Sequence, residues 1–548
     1  MVGVASASEP RVQVPVQVLG RYIPPQCYTK TEEVKVKTGQ SVRVHNPCFA
    51  CHTKSLAPNF KDDAVLQLAY SFPSSMLRNP WSNLFKDFRP DIAKISDQQI
   101  ERYIAQSNYQ SQGKLLLSTK LASNIPKAWD INQDGHWNGY VPDAYFRFDN
   151  QGFDHAPNGQ LTGWRAFGYR PFMGAFWPTN GSTDDTLIRL SKPFQTNEKG
   201  QFSLAIYKLN LAIVEALIQR RDVPISPVDE TLYGVDLNRN GKLDIADKVV
   251  YRWAPLKGQN MSYVGQAKAL QQSGRVHLAA GLYPEGTEFL HTVRYISFDT
   301  KGNVVLSPRM KEVRYARKVA WNTYFQLRNA AMSEVKEADD FPERLRRVQG
   351  NEETGLYNGQ GWVYQGFIED KQGALRPQTY QETLSCIGCH SGIGATTDSS
   401  FAFPRKLGET HFQQGWFHAS QHSLKGVEDR LVEVNGKQIG EFANYLLQNH
   451  SGNEFRDNNE VEAKFFDKNG QLKPQAKKHL EKDITYLLWP SQQRAMQLNK
   501  AYKVIVDEQS FAKGRDAHIE PLNNVVYDFV EAGKTTGVKK SVTVKPIR

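Results

Sequence analysis

Residues 46–54 read NPCFACHTK and residues 384–392 read LSCIGCHSG. Each holds Cys-x-x-Cys-His, and together they use four of the five cysteines in a chain of 548 residues. Two thiols three positions apart, with an imidazole directly after the second, meet the needs of covalent haem attachment: the thiols add across two vinyl groups and the imidazole reaches the iron. Cys48, Cys51 and His52 supply that order, and Cys386, Cys389 and His390 repeat it. A zinc site would pool four ligands from the two motifs, and a redox dithiol has no use for the trailing histidine at both places. The residues therefore point to two covalently bound haem groups, with His52 and His390 as iron ligands.

On these two motifs the chain resembles the large bacterial dihaem c-type cytochromes, a group that includes the dihaem peroxidases, the methylamine-utilisation maturation enzymes and the rubber oxygenases. The resemblance is confined to the motifs. Cys48 and Cys386 lie 338 residues apart, more than is expected for the compact peroxidases, so only the attaching cysteines and the proximal histidines carry over. It implies attachment outside the cytoplasm, hence an exported protein of the periplasm or cell surface.

Apolar content of 40% and charged content of 23% are those of a soluble globular protein. No apolar run approaches the ~20 residues of a membrane helix, so the chain does not read as an integral membrane protein. Its net charge of +11 is spread along the sequence, which favours docking to an acidic redox partner over nucleic-acid binding and leaves the oligomeric state open. Ala5-Ser6-Ala7 is a small-x-small pattern and reads as the remnant of an export signal.

Periodicity divides the chain into three stretches. Residues 1–125 run from alternating segments (RVQVPVQV, EEVKVKTGQSVRV) into helical ones (DDAVLQLAYSF, then SDQQIERYIAQ onward) and read as an N-terminal haem unit. Residues 126–340 are aromatic and turn-rich, with a hairpin across Lys301-Gly302-Asn303. Residues 341–548 carry the second motif and end in the helical KDITYLLWPSQQRAMQLNKAYKVIVDE. The expected fold is α+β: mainly helical cytochrome c-like haem units around a loop- and strand-rich middle region.

Two acidic loops in the middle region have calcium-type spacing. Asp236, Asn238, Asn240, Gly241, Asp244 and Asp247 occupy positions 1, 3, 5, 6, 9 and 12, with the Lys242 carbonyl at position 7. Oxygen side chains at alternate positions converge on one hard cation, and the glycine permits the sharp turn. Asp at position 12 in place of Glu makes this loop resemble those of dockerins. In DINQDGHWNGYVPD the ligands are Asp130, Asn132, Asp134 and Asn138, with His136 placed among them, but Val141 stands at position 12 and closure would fall to Asp143.

What two irons would do depends on their sixth ligands. His411, His418 and His422 crowd into ETHFQQGWFHASQHSLK, where the last two share a face if the segment is helical. His45, Met76, Met173 and Cys27 are further candidates, although methionine in aromatic company is usually core filler. Trp129, Trp137, Trp177, Trp362 and Trp416 are available as relays or as packing. The leading expectation is electron transfer. The alternatives are an oxidoreductase of peroxidase or oxygenase type with one open haem, and a structural or sensory haem protein docked to a larger complex.

Overall fold

In the computed structural model, the described residues are 19–31, 33–35, 42–59, 66–68, 71–123, 125–450, 458–538 and 540–546, with the backbone alone at 33–35, 42–44 and 546. The Ala5-Ser6-Ala7 segment, the alternating stretch 11–18 and part of the 62–72 stretch lie outside them. Glu33–Lys35 and Val42–Val44 pair antiparallel ahead of the first motif, and Asp97–Ile104 forms the helix expected there, closed by a Ser96/Gln99 capping box.

The dominant element is a ten-stranded antiparallel sheet. Its strands are β1 Phe153–His155, β2 Leu161–Ala166, β3 Thr183–Asp184, β4 Leu187–Arg189, β5 Glu288–Phe298, β6 Val304–Lys318, β7 Gln349–Asn351, β8 Gly355–Tyr357, β9 Trp362–Glu369 and β10 Leu375–Pro377. Their order is β7-β8-β9-β6-β5-β4-β2-β1, with β10 on β9 and β3 on β5. β5 and β6 form the hairpin expected across residues 301–303; Gly302, at φ 77°, takes the left-handed position in its turn.

Alternation decides what each face of this hairpin meets. Leu290, Met310, Val313 and Phe367 join Trp164 and Tyr109 in one apolar cluster. Phe289, His291 and Val293 of β5, Arg314 and Ala316 of β6, and Trp362 and Tyr364 of β9 face a large cavity. His291, Arg314 and Gly366 are in direct cross-strand register.

Four of the described helices bear on the site. α1 (Leu204–Gln219) is apolar on nearly all sides and correspondingly buried; Ser203 caps its start, accepting from the Ile206 N–H. α2 (Tyr324–Asp340) runs over the cavity with only Ala331 buried. α3 (Tyr380–Cys389) carries the second motif. α4 (Gln492–Glu508) packs with Tyr295, Ile368 and Ile100 in another cluster.

The expectation of mainly helical, cytochrome c-like haem units is overturned. The first motif forms only the three-residue turn Cys48–Ala50, and the second ends one ten-residue helix; neither heads a helical module. The long alternating strands of 288–318 recruit partners from residues 153 to 377, so the sheet organises the fold. Hydrophobic clusters also mix distant sequence: Tyr28, Met76 and Trp81 pack with Leu345, Leu522 and Val526.

Candidate functional site

The cavity has a volume of about 1400 Å³, above the ~300–1,000 Å³ usual for a single ligand pocket. Cys51 and His52 line it from one side, and Cys386, Cys389 and His390 from another. Cys48 is half-buried and not on the wall, and burial pushes its thiol up to about 11. The first motif and the residues just after it are held to the segment that follows the second. The Ala395 N–H donates to the Cys51 carbonyl at 3.0 Å, and Asn59 Nδ2 donates to the carbonyls of Ile393 (2.7 Å) and Thr396 (3.1 Å). A side chain at Gly394 would sit 1.8 Å from the Thr53 carbonyl oxygen, so only glycine permits this approach; Gly388, inside the second motif, meets the Tyr22 carbonyl in the same way.

Local structure presents each motif. α3 begins with a capping box, Thr379 accepting from the Glu382 N–H and Glu382 from that of Thr379. Cys386 and Cys389 follow three apart, on one face of its last turn. His390, just past the helix end, has Nδ1 2.7 Å from the Ser399 carbonyl, so Nδ1 donates and Nε2 keeps its lone pair. Burial holds this imidazole neutral, lowering its pKa to about 4. At the first motif, the His52 N–H donates to the Cys48 carbonyl at 2.8 Å. The buried Gln67 amide donates to the carbonyls of His52 and Val542.

The rest of the wall combines aromatic rings with arginines. Arg314 binds the Glu312 carboxylate through two nitrogens (2.9 and 3.0 Å), and Arg515 donates to the same carboxylate at 2.5 Å. Asp184, also on the wall, is held well above the usual carboxylate range by burial and by neighbouring Asp185. α2 contributes Ala331, Met332 and Val335.

Other expected ligands are placed elsewhere. His418 is buried, with Nε2 2.9 Å from Asp185 and Nδ1 2.7 Å from Ser420. His422 stacks on Phe412, and the segment is not a helix: it holds the short turn Phe412–Gly415, with Gln413 and Gln414 in left-handed conformation. His411, His418 and His422 are not on the cavity wall; nor are His45, Met76 and Met173, the methionines belonging to apolar clusters. Of the five tryptophans considered as relays, Trp362 reaches the wall. Cys27 lines it too. His291 also lines the wall and escaped the sequence reading, because a lone histidine in an alternating strand carries no motif.

The acidic loops are compact. Asp236 Oδ2 accepts from the Gly241 N–H (3.0 Å), while Asp236 Oδ1 is buried and has no hydrogen-bond partner. Asn238 and Asn240 donate to Asp244, Lys242 donates its N–H to Asn240, and Asp247 lies on the strand Ile245–Val249. Asp130 accepts from Asp134 and Gly135, and Asn132 and Asn138 donate to Asp134, whose Oδ1 accepts from the His136 N–H. Each loop is braced by a buried glutamate from outside it. Glu230 accepts from Leu237, Asn238 and Asp244; Glu353 accepts from Ile131 and Asn138. Asp143 is engaged by Arg189, Trp164 and Tyr140.

Residues 17–483 match a family described as "-like lipoprotein". The chain belongs to this lipoprotein family. It is also 31% identical to an "Uncharacterized lipoprotein" of Aquifex aeolicus (strain VF5), over 95% of this chain and 90% of that protein. No solved structure matches. Membership corrects the expected place among the dihaem cytochromes: neither description mentions a cytochrome, a haem or an oxidoreductase, and the sheet-built fold has no cytochrome module. Lipoproteins are exported and held at a membrane by lipid, so the export expected from the sequence stands. Among the described residues, no helix is long and apolar enough to cross a membrane.

Proposed function

We propose that this exported lipoprotein holds two covalently attached haem groups in the large cavity and passes electrons between them to an acidic redox partner. The observation that carries the reading is that residues of both Cys-x-x-Cys-His segments, Cys51 and His52 of one and Cys386, Cys389 and His390 of the other, line the same cavity. The donors on the wall are Cys51, Cys386 and Cys389 and the neutral His390 imidazole, whose Nδ1 is committed to Ser399 and whose Nε2 keeps its lone pair, within a largely apolar lining; attachment through Cys48 requires its thiol, off the wall here, to turn to the cavity. Cys48 and Cys51 would hold one group with His52, and Cys386 and Cys389 the other with His390. When bound, such groups supply one-electron chemistry. The chain's own residues attach them, fix the imidazole tautomer, exclude water and supply positive charge. The net charge of +11 favours an acidic partner, and the periplasm or cell surface is the compartment such attachment requires. The 236–247 and 130–138 loops are assigned to calcium, supported at the first by the buried, unpartnered Asp236 Oδ1.

Intact mass of the exported protein tests this directly. Two haem masses per chain are expected, reduced to one by Cys389→Ala; no added mass, or zinc in place of haem, rejects the proposal.

A further inference from the structure

Of the 13 histidines, His52, His291, His390 and His518 line the cavity. His518 is committed elsewhere, with Nδ1 3.3 Å from the Asp516 carbonyl and Nε2 3.1 Å from the Lys86 carbonyl. His291 and His390 are prepared alike. His291 Nδ1 lies 2.8 Å from the Asp185 carbonyl, as His390 Nδ1 lies 2.7 Å from that of Ser399. A carbonyl only accepts, so in both rings Nδ1 is the donor and Nε2 is left with a lone pair, which is how a metal-ligating imidazole is set. Both rings line the same cavity. Both are steadied by aromatic neighbours: Phe176 lies 5.2 Å from His291, and Tyr364 lies 4.7 Å from His390. His390 stands on the helix end and His291 on the sheet floor, so they reach the cavity from different elements.

We infer that His291 is the partner ligand of His390, the two imidazoles holding one iron between them. The inference rests on the proposed haem attachment and deepens it. An iron with two imidazoles has no open position, so this haem carries electrons and leaves substrate chemistry to other sites. Arg314, in register with His291 and bound to Glu312, would then lie beside the haem as fixed positive charge.

The test is electron paramagnetic resonance of the oxidised exported protein, together with intact mass. The native protein should show a low-spin signal from this iron. His291→Ala should convert the low-spin signal of this iron to high spin, with the haem mass retained, and added imidazole should restore the low-spin signal. His291→Lys, a second variant with a nitrogen donor, guards against misfolding by testing whether a low-spin centre survives. His518→Gln should leave the spectrum unchanged. Haem present with the low-spin signal unaltered in His291→Ala overturns the pairing alone; absence of haem mass overturns the functional proposal and the pairing with it.

Discussion

Lys318 and Asp398 show how a single residue governs the site from behind it. Both are buried, and the Lys318 ammonium lies 2.6 and 2.5 Å from the two carboxylate oxygens. Asp398 also accepts from the Tyr283 N–H at 2.9 Å, and the next residue, Ser399, offers the carbonyl that orients His390. Asp398 and Ser399 are both left-handed, at φ 50° and 60°, so the pair holds a strained turn in place. Lys318→Met would leave a carboxylate buried without its partner. We expect a loss of about 3–5 kcal/mol in urea unfolding, part of which Asp398→Asn in the same chain should recover by removing the orphaned charge. An unchanged midpoint would deny the pair this role. In sequence, Lys318 ends an alternating basic strand and reads as a solvated charge; its burial follows from the close approach of a loop 80 residues away.

At the scale of elements, the two acidic loops separate what spacing reveals from what folding adds. Alternating Asp and Asn with a glycine at the sixth position is legible directly, and Gly241 adopts φ 87° as the turn requires. The buried glutamates behind the loops carry no such signal, because Glu230 precedes its loop and Glu353 comes from 215 residues beyond Asn138. If calcium occupies the first loop, Asp236→Ala should lower thermal stability in calcium and change it little in chelator. Glu230→Ala provides the contrast: it strips the acceptor from three N–H groups and should cost about 1–3 kcal/mol in both conditions. An equal loss for Asp236→Ala with and without calcium would make the loop a turn only. The same contrast applies to α1. Its apolar run from Leu204 defines a buried helix, but it lies in a stretch whose aromatics and turns dominate a reading by composition.

For the whole molecule, the distance between the motifs in sequence is not a distance in space. The contacts of Ala395 with Cys51, and of Asn59 with Ile393 and Thr396, place the two attachment segments on a common wall. Under the proposed function, a change at one haem must alter the field at the other, since both would share one cavity. Replacing His52 by Gly should therefore move the potential of the remaining haem in an optical redox titration. An unchanged potential would mean two electrically independent groups and would argue against electron passage within the cavity.

The amino-acid sequence by itself determined the chemistry available: two thiol pairs with trailing imidazoles, two oxygen-rich turns and one long hairpin are local patterns, readable because their meaning depends on spacing along the chain. The tertiary structure decided the architecture and the meeting of parts. The mainly helical reading failed because strands between 153 and 377 pair across the chain into one ten-stranded sheet. His291 gained its place only when β5 turned one face to the cavity. Alternation along a strand shows that two faces exist; which of them meets a site is set by non-local packing, which no single stretch of sequence contains.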